Sequence, residues 1–393
     1  MLAFLHRALR YVRAESLLLM LLGTFGLLQC VSTTPLGADF SLVEWPTIAA
    51  LAGLLALTKG LELSGGLHWL GARLLTHLTS ERQTALCLVC LAALLSMVLT
   101  NDVALFFVVP LTVGICRARK LPSARLVIFE ALAVNAGSAL TPVGNPQNLF
   151  LWQFARVPAA LFIRQMLPLV VLMLMALLAL TWWAFEGETT SASTVVPAPA
   201  SGGAGAGWST SASESEPIDR ALLWASLLLY PSFLLAAELN EAAAAAPLVL
   251  LVLGVLRPRL LTELDWGLLL VFVLMFIDMR LLTTLPTIQA LMQGADVAQP
   301  RHLLLAGIGL SQLTSNVPAA IALAAYSSNW QVLAYAVNVG GFGWMVGSLA
   351  NLIALRLGGD RHAWIRFHAY SVPMLILSAL FAFCLLSASG LLS

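Results

Sequence analysis

Charge is what this chain lacks most. Asp, Glu, Lys and Arg make up 10% of its 393 residues, against roughly a quarter in soluble domains. Hydrophobic residues make up 60% and mean hydropathy is +0.91, which is more apolar surface than a water-soluble core can use. No basic run is long enough to follow a phosphate backbone and the net charge is +1, so nucleic-acid binding is excluded. Five cysteines supply no disulfide framework in a chain of this size. Cys87 and Cys90 form a CxxC, but it lies in continuous apolar sequence with no third ligand and reads as small packed side chains. His68, His77, His302, His362 and His368 have no metal-ligand spacing, so neither a bound metal nor another cofactor is expected. Ser–Lys, Ser–His and paired-Asp arrangements are absent from the apolar stretches, as is a nucleotide-binding loop. An intramembrane enzyme and a primary pump are thereby excluded.

What the chain does have is apolar runs of about 17 to 25 residues, each long enough to cross some 30 Å of hydrocarbon as a helix. Lipid leaves every backbone N–H and C=O to be paired internally, and continuous apolar runs do not fit the alternating pattern of a barrel. The expected fold is an all-α polytopic membrane protein of about 9 to 11 spans, near 16–34, 43–63, 124–156, 162–185, 220–238, 243–257, 266–285, 330–356 and 366–390. Two further stretches, 84–116 and 302–326, are interrupted midway by the polar clusters Thr100–Asp102 and Thr314–Asn316. The N-terminal HRALRYVRAE lacks a small-residue cleavage pattern after the apolar run it precedes, and reads as the cytoplasmic flank of an uncleaved first span.

Basic residues set the expected orientation. Arg7, Arg10 and Arg13 place the N-terminus in the cytoplasm, Asp39 and Glu44 fall outside, and Arg73 and Arg82 fall inside. The basic loop from Cys116 to Arg125 is also inside only if 84–116 is a re-entrant hairpin on the cytoplasmic side. Arg257, Arg259, Arg356, Arg361 and Arg366 then land inside, and hairpin 302–326 opens from outside. Two hairpins from opposite faces imply two inverted repeats, with a first membrane repeat over 1–186 and a second over 219–393. Between them, 187–218 is rich in Ser, Ala, Gly and Pro and reads as a disordered cytoplasmic linker. The span at 220–238 is the odd crossing that turns the second repeat over.

The halves share a motif as well as hydropathy. Asn135, Gly137, Gly144, Asn148 and Leu149 match Asn338, Gly340, Gly347, Asn351 and Leu352, both reading N-x-G-x6-G-x3-N-L. Ser96, Thr100, Asn101 and Ala104 match Ser311, Ser315, Asn316 and Ala319 in the same way, which marks an internal duplication. Glycines, together with Pro142 and Pro146, release the backbone from helical bonding. Freed carbonyls can then ligate a cation, and helix N-termini can meet an anion. Irregular backbone at this depth is tolerated only where it is buried or lines a cavity, so two broken transmembrane helices and two hairpin tips are expected around one site.

With TNDVALFFVVP, NAGSALTPVGNPQNL, SQLTSNVPAA and NVGGFGWMVGSLANL in hand, the chain resembles the ion transporter superfamily, which includes divalent anion–sodium symporters, citrate transporters, arsenite permeases and one type of sodium/proton antiporter. TPVGNPQNL is the most specific piece and resembles the YbiR-type bacterial permeases. The resemblance implies inverted repeats, elevator-like movement, an often homodimeric assembly and a multi-pass place in the bacterial inner membrane. Residue by residue, the tip signature falls on Thr100-Asn101-Asp102 and Ser315-Asn316-Val317. The unwound-helix signature falls on Thr141, Pro142, Gly144, Asn145 and Asn148, and in the second half on Gly347, Ser348 and Asn351. The family's dicarboxylate symporters carry Thr at the third tip position, where this chain has Asp102 and Val317. The ND pair is more similar to arsenite permeases and NVP to sodium/proton antiporters.

Asp102 is the sharpest single residue. An ionisable group at mid-bilayer is paired, protonated or ligating a cation, so Asp102 binds Na⁺, carries a coupled H⁺, or caps the returning helix. Lys59 with Glu62, and Asp278 with Arg280, read as structural anchors ahead of each hairpin. The expected function is an ion-coupled secondary transporter of a small carboxylate or oxyanion working by alternating access, with a cation/proton antiporter or arsenite-type efflux permease as the alternative. The first repeat, with Asp102 and the full TPVGNPQN, is expected to carry most of the ion coupling.

Overall fold

Lipid offers the backbone no hydrogen-bonding partner, so helix is the economical conformation for this composition. The computed structural model describes residues 16–32, 39–67, 69, 80–119, 122–186, 218–360 and 362–392, and among them regular structure is helical throughout, without β-strands. Arg7, Arg10, Arg13, His68, Arg73, His77, Arg361 and the expected linker up to Pro217 lie outside the described residues.

Helices α1 (Ser16–Val31) and α2 (Trp45–Leu63) lead to the first hairpin, α3 (Glu81–Val98) and α4 (Asn101–Arg119). The expected span at 124–156 is two helices, α5 (Ser123–Ser138) and α6 (Pro146–Ala155), followed by α7 (Ala159–Ala184). The second half begins with α8 (Arg220–Glu238), α9 (Ala242–Leu256), the short α10 (Pro258–Glu263), α11 (Trp266–Thr284) and α12 (Pro286–Gly294). Its hairpin is α13 (Pro300–Thr314) and α14 (Asn316–Ala324). The expected span at 330–356 is again divided, into α15 (Trp330–Val339) and α16 (Leu349–Gly358), and α17 (Ala363–Ala388) closes the chain.

Among the described residues six helices, α2, α3, α7, α8, α11 and α17, are long and apolar enough to cross a membrane. Their outer faces carry large exposed apolar side chains such as Trp183, Leu228 and Met175, which suits a lipid solvent. Side-chain caps fix several starts: Ser80, Asn145, Asp219, Asp265 and Asn329 each accept a backbone N–H from the first turn of the helix they precede.

Packing sorts the helices into two groups, each drawn from both halves of the chain. Helices α1, α2 and α8 to α11 form one; α3 to α7 and α13 to α17 form the other. The groups meet where α2 packs on α6 and α11 on α14. Within the second group α5 packs on α16 as α6 does on α15, and α4 on α16 as α6 does on α14. These contacts are exchanged between the two copies of the duplicated sequence.

Close helix approach in lipid relies on small residues, and α2 meets α8 in this way. A Cβ on Gly53 would lie 2.1 Å from Phe233 Cζ. Gly53→Val should therefore lower stability by about 1–3 kcal/mol through overpacking, read as an earlier unfolding transition in detergent. An unchanged transition would mean that α8 is not seated against α2 there.

Candidate functional site

The site is where the two helix breaks meet. The turn from Ala139 to Gly144 separates α5 from α6, and Gly340 to Ser348 separates α15 from α16. Each break leaves carbonyls without helical partners, and asparagines satisfy them. Asn148 Nδ2 donates to the carbonyls of Ser138, Ala139 and Thr141 at 3.3, 3.1 and 3.1 Å. In the other half, Asn351 Nδ2 donates to the carbonyl of Gly341 at 3.0 Å, the position that corresponds to Ser138 in the repeat.

The halves then exchange side chains. Asn135 Nδ2 donates to Asn351 Oδ1 at 2.7 Å, and Asn338 Nδ2 donates to Asn148 Oδ1 at 2.6 Å. The first asparagine of each motif thus bonds the last asparagine of the other. Asn145 adds a link to Asn338 at 3.0 Å while accepting from the Asn148 backbone N–H at 2.9 Å as the cap of α6. All five side chains are buried.

The hairpin tips reach the same network. Asn101 N–H donates to the Gly144 carbonyl at 2.8 Å, joining the start of α4 to the start of α6. A Cβ on Gly341 would lie 3.4 Å from Asn316 Nδ2 and 3.6 Å from Asn135 Oδ1, which brings the start of α14 beside the second break. The N-termini of α4, α6, α14 and α16 therefore converge, each carrying the partial positive charge of its first turn. Ser315, between α13 and α14, has φ of 78°. A serine held there stores about 1–3 kcal/mol of strain, a cost seen mostly at functional sites.

The expected residues divide into two roles. Thr100 Oγ1, Asp102 Oδ1 and Ser348 Oγ are buried with no protein partner among the described residues. The others hold the frame. Ser96 and Ser311 bond back to Ala93 and Gly307 in their own helices at 2.8 and 2.7 Å. Gly137 and Gly340 lie against them so closely that a Cβ would fall 2.6 and 2.5 Å from the respective Oγ atoms. Thr141 ties the first break to the hairpin by donating to the Met97 carbonyl at 2.6 Å. Pro142 is buried in the turn, and Gly347 sits where a Cβ would meet the Gly340 carbonyl at 2.6 Å. Asp102 does not cap α4: the Asp102 N–H is bound instead by Asn101 Oδ1 at 3.0 Å.

A scan against protein families matches the Citrate transporter model over residues 12–340. Inner membrane protein YbiR of Escherichia coli is 45% identical over 88% of this chain and 88% of its own. The chain belongs to the citrate transporter family. An uncharacterized transporter of Methanocaldococcus jannaschii is 31% identical over 81% of this chain and 82% of its own. The silicon efflux transporter LSI3 of Oryza sativa is 26% identical over 40% of this chain and 33% of its own. Membership of this family, with six helices of crossing length, makes the protein a multi-pass membrane transporter.

Several residues of this citrate transporter family member escaped the sequence reading. Gln312 clamps the second break, donating to the Gly340 and Phe342 carbonyls at 2.8 and 3.1 Å and accepting from Trp344 N–H at 2.8 Å. Gly341 receives both Asn135 and Asn351. Gln147, inside TPVGNPQNL, is buried with Oε1 unpartnered. Glu130 is fully buried and held by the Thr112 hydroxyl. Gln312 sits within the repeated tip motif and Gly341 within the second break, but neither is repeated in the other half, so comparison of the halves passed over them. Cys87 and Cys90 are free, and Cys90 is exposed on α3 instead of packed. Of the expected anchors, Lys59 pairs with Glu62 at 3.0 Å. Arg280 pairs with Glu44 and leaves Asp278 without a partner among the described residues, because residues two apart point to opposite sides of a helix. Among the described residues, no group of three or more His, Cys, Asp or Glu could hold a metal ion.

If the asparagine exchange ties the halves together, Asn135→Ala and Asn351→Ala should each cost about 1–3 kcal/mol, because each leaves a buried amide unpaired. The double variant should cost less than their sum, with a coupling of about 0.5–3 kcal/mol. Strict additivity in a detergent unfolding series would mean that the contact carries no energy.

Proposed function

We propose that the protein is an ion-coupled secondary transporter of a small anion, a carboxylate or inorganic oxyanion, in the bacterial inner membrane. The observation that carries this reading is the convergence of four helix N-termini on one buried network in which Thr100 Oγ1, Asp102 Oδ1 and Ser348 Oγ stay free. N-termini favour an anion through their N–H groups and partial positive charge. Asp102 is the acidic member of the set, and with freed carbonyls nearby it would hold the coupling Na⁺ or H⁺. The site would alternate between the two membrane faces as the α3–α7 and α13–α17 group moves against the other helices, with the halves arranged as inverted repeats.

A second reading, cation/proton exchange without an anion, is favoured by Asp102 alone. It predicts cation flux that needs no anionic substrate, whereas the main reading predicts none. The test is reconstitution in liposomes with citrate, succinate, phosphate and arsenite under imposed Na⁺ and proton gradients. Uptake of at least one anion, accelerated by one gradient, is expected. Asp102→Asn should lower gradient-driven uptake more than about tenfold, a difference of 1.4 kcal/mol in the driven step. No anion flux under any gradient, with folded protein present, would end this reading.

A further inference from the structure

Two fully buried carboxylates lie outside the asparagine network. Glu130 is held by Thr112. Asp278, on α11, is 0% exposed, and neither of its carboxylate oxygens has a protein partner among the described residues. An ionised carboxylate in such surroundings is too costly to persist without a counter-ion.

Among the described residues no counter-ion is within reach. On its own helix, Arg280 points the other way and is engaged by Glu44. Helix α2 brings Lys59 and Glu62, but Lys59 pairs with Glu62 at 3.0 Å and approaches Glu263 at 3.7 Å. The Glu44–Arg280 and Lys59–Glu263 contacts tie opposite ends of α2 and α11, so the two helices are antiparallel and Lys59 lies roughly 20 Å along the axis from Asp278. The turn at Asp39–Leu42 brings Asp39, which accepts from Gln29 at 2.8 Å. Helix α1 contributes only Cys30, and α12, α14 and α6 contribute no titratable group. Tyr326 donates its hydroxyl to the Thr283 carbonyl at 3.1 Å. Around Asp278 its own helix presents Leu274, Met275 and Leu281, all buried. These side chains offer a metal cation no oxygen, whereas a proton needs none beyond those of the carboxylate itself.

The position matters as much as the burial. Helix α11 belongs to one packing group and α14, the returning arm of the hairpin, to the other. Tyr326 follows the end of α14 and bonds Thr283 near the end of α11, so the packed helices run in the same direction. Asp278 then lies about 8 Å along them from the level of the Asn316 tip. A displacement of the hairpin along α11 would therefore act on the packing at the level of this carboxyl.

We propose that Asp278 is a proton-binding site: it holds its proton while α14 packs on α11, and the O–H bond breaks, with the proton passing to water, when α14 is displaced. This rests on the transport reading above, and it adds a coupling group remote from the hairpin tips.

The experiment compares wild type, Asp278→Asn and Asp278→Glu in liposomes, with citrate, phosphate and arsenite as probes. Asparagine is isosteric with the neutral acid, so Asp278→Asn is expected to keep substrate exchange at equilibrium and to lose the acceleration by a proton gradient. Infrared absorption of the purified proteins gives a readout that needs no substrate. Wild type should carry a protonated carboxylic acid C=O band that Asp278→Asn lacks and Asp278→Glu shifts. A wild-type gradient response in Asp278→Asn, or identical infrared bands in those two proteins, overturns the proposal. Wild type that moves none of the probes under any gradient defeats the transport reading instead, and the infrared comparison then decides whether Asp278 holds a proton.

Discussion

A helix that breaks inside a membrane exposes carbonyls and N–H groups to a solvent that cannot bond them, and this constraint organises the centre of the protein. Here the freed groups are met by side-chain amides, which both donate and accept. Asn148 takes three carbonyls of its own break and still accepts from Asn338 of the other half. Asn351 takes the Gly341 carbonyl and accepts from Asn135. Each break is thus satisfied largely by the asparagine of its own half, which is in turn bonded by an asparagine of the other. A partly satisfied buried polar network is worse than an apolar core, so the few atoms left unpartnered stand out against a frame that is otherwise bonded.

The duplication is exact in spacing and unequal in chemistry. Asn145 caps α6 and reaches across to Asn338, whereas its counterpart Ser348 leaves its hydroxyl unpartnered at the start of α16. The first break is tied to its hairpin by Thr141 on Met97, the second by Gln312 on Gly340 and Phe342. Asp102 at one tip corresponds to Val317 at the other. A symmetrical frame therefore surrounds an asymmetrical interior, as the proposed pairing of one anion with one coupling ion would require.

Much of this was legible in the sequence because lipid makes polar residues conspicuous. The breaks after Ser138 and Val339 and the tips at Asn101 and Asn316 follow from Gly, Pro and Asn interrupting apolar runs. Comparison of the halves found the residues that recur, and so found the asparagine pairs. It could not find Gln312 or Gly341, whose partners are backbone groups placed by the tertiary fold. The role of Ser96 and Ser311 was also hidden, because a serine bonded back to its own helix looks in sequence like one that faces a ligand. The pairing of Arg280 with Glu44 joins positions remote in the chain, and only the packing of α11 beside α2 showed that Asp278 has no partner among the described residues. The alternation of packing partners between the halves was equally invisible, since contacts between duplicated elements depend on how the copies are turned toward each other.

In the proposed mechanism the two broken helices and two hairpin tips enclose one ligand site. A cryo-electron microscopy structure of the protein in lipid nanodiscs, with a transported anion at saturating concentration, tests it most directly. The account predicts ligand density bounded by the starts of α4, α6, α14 and α16, within hydrogen-bond reach of Thr100 or Ser348. Density for the anion elsewhere, with that space filled by protein side chains or with α5–α6 and α15–α16 running as continuous helices, would contradict it.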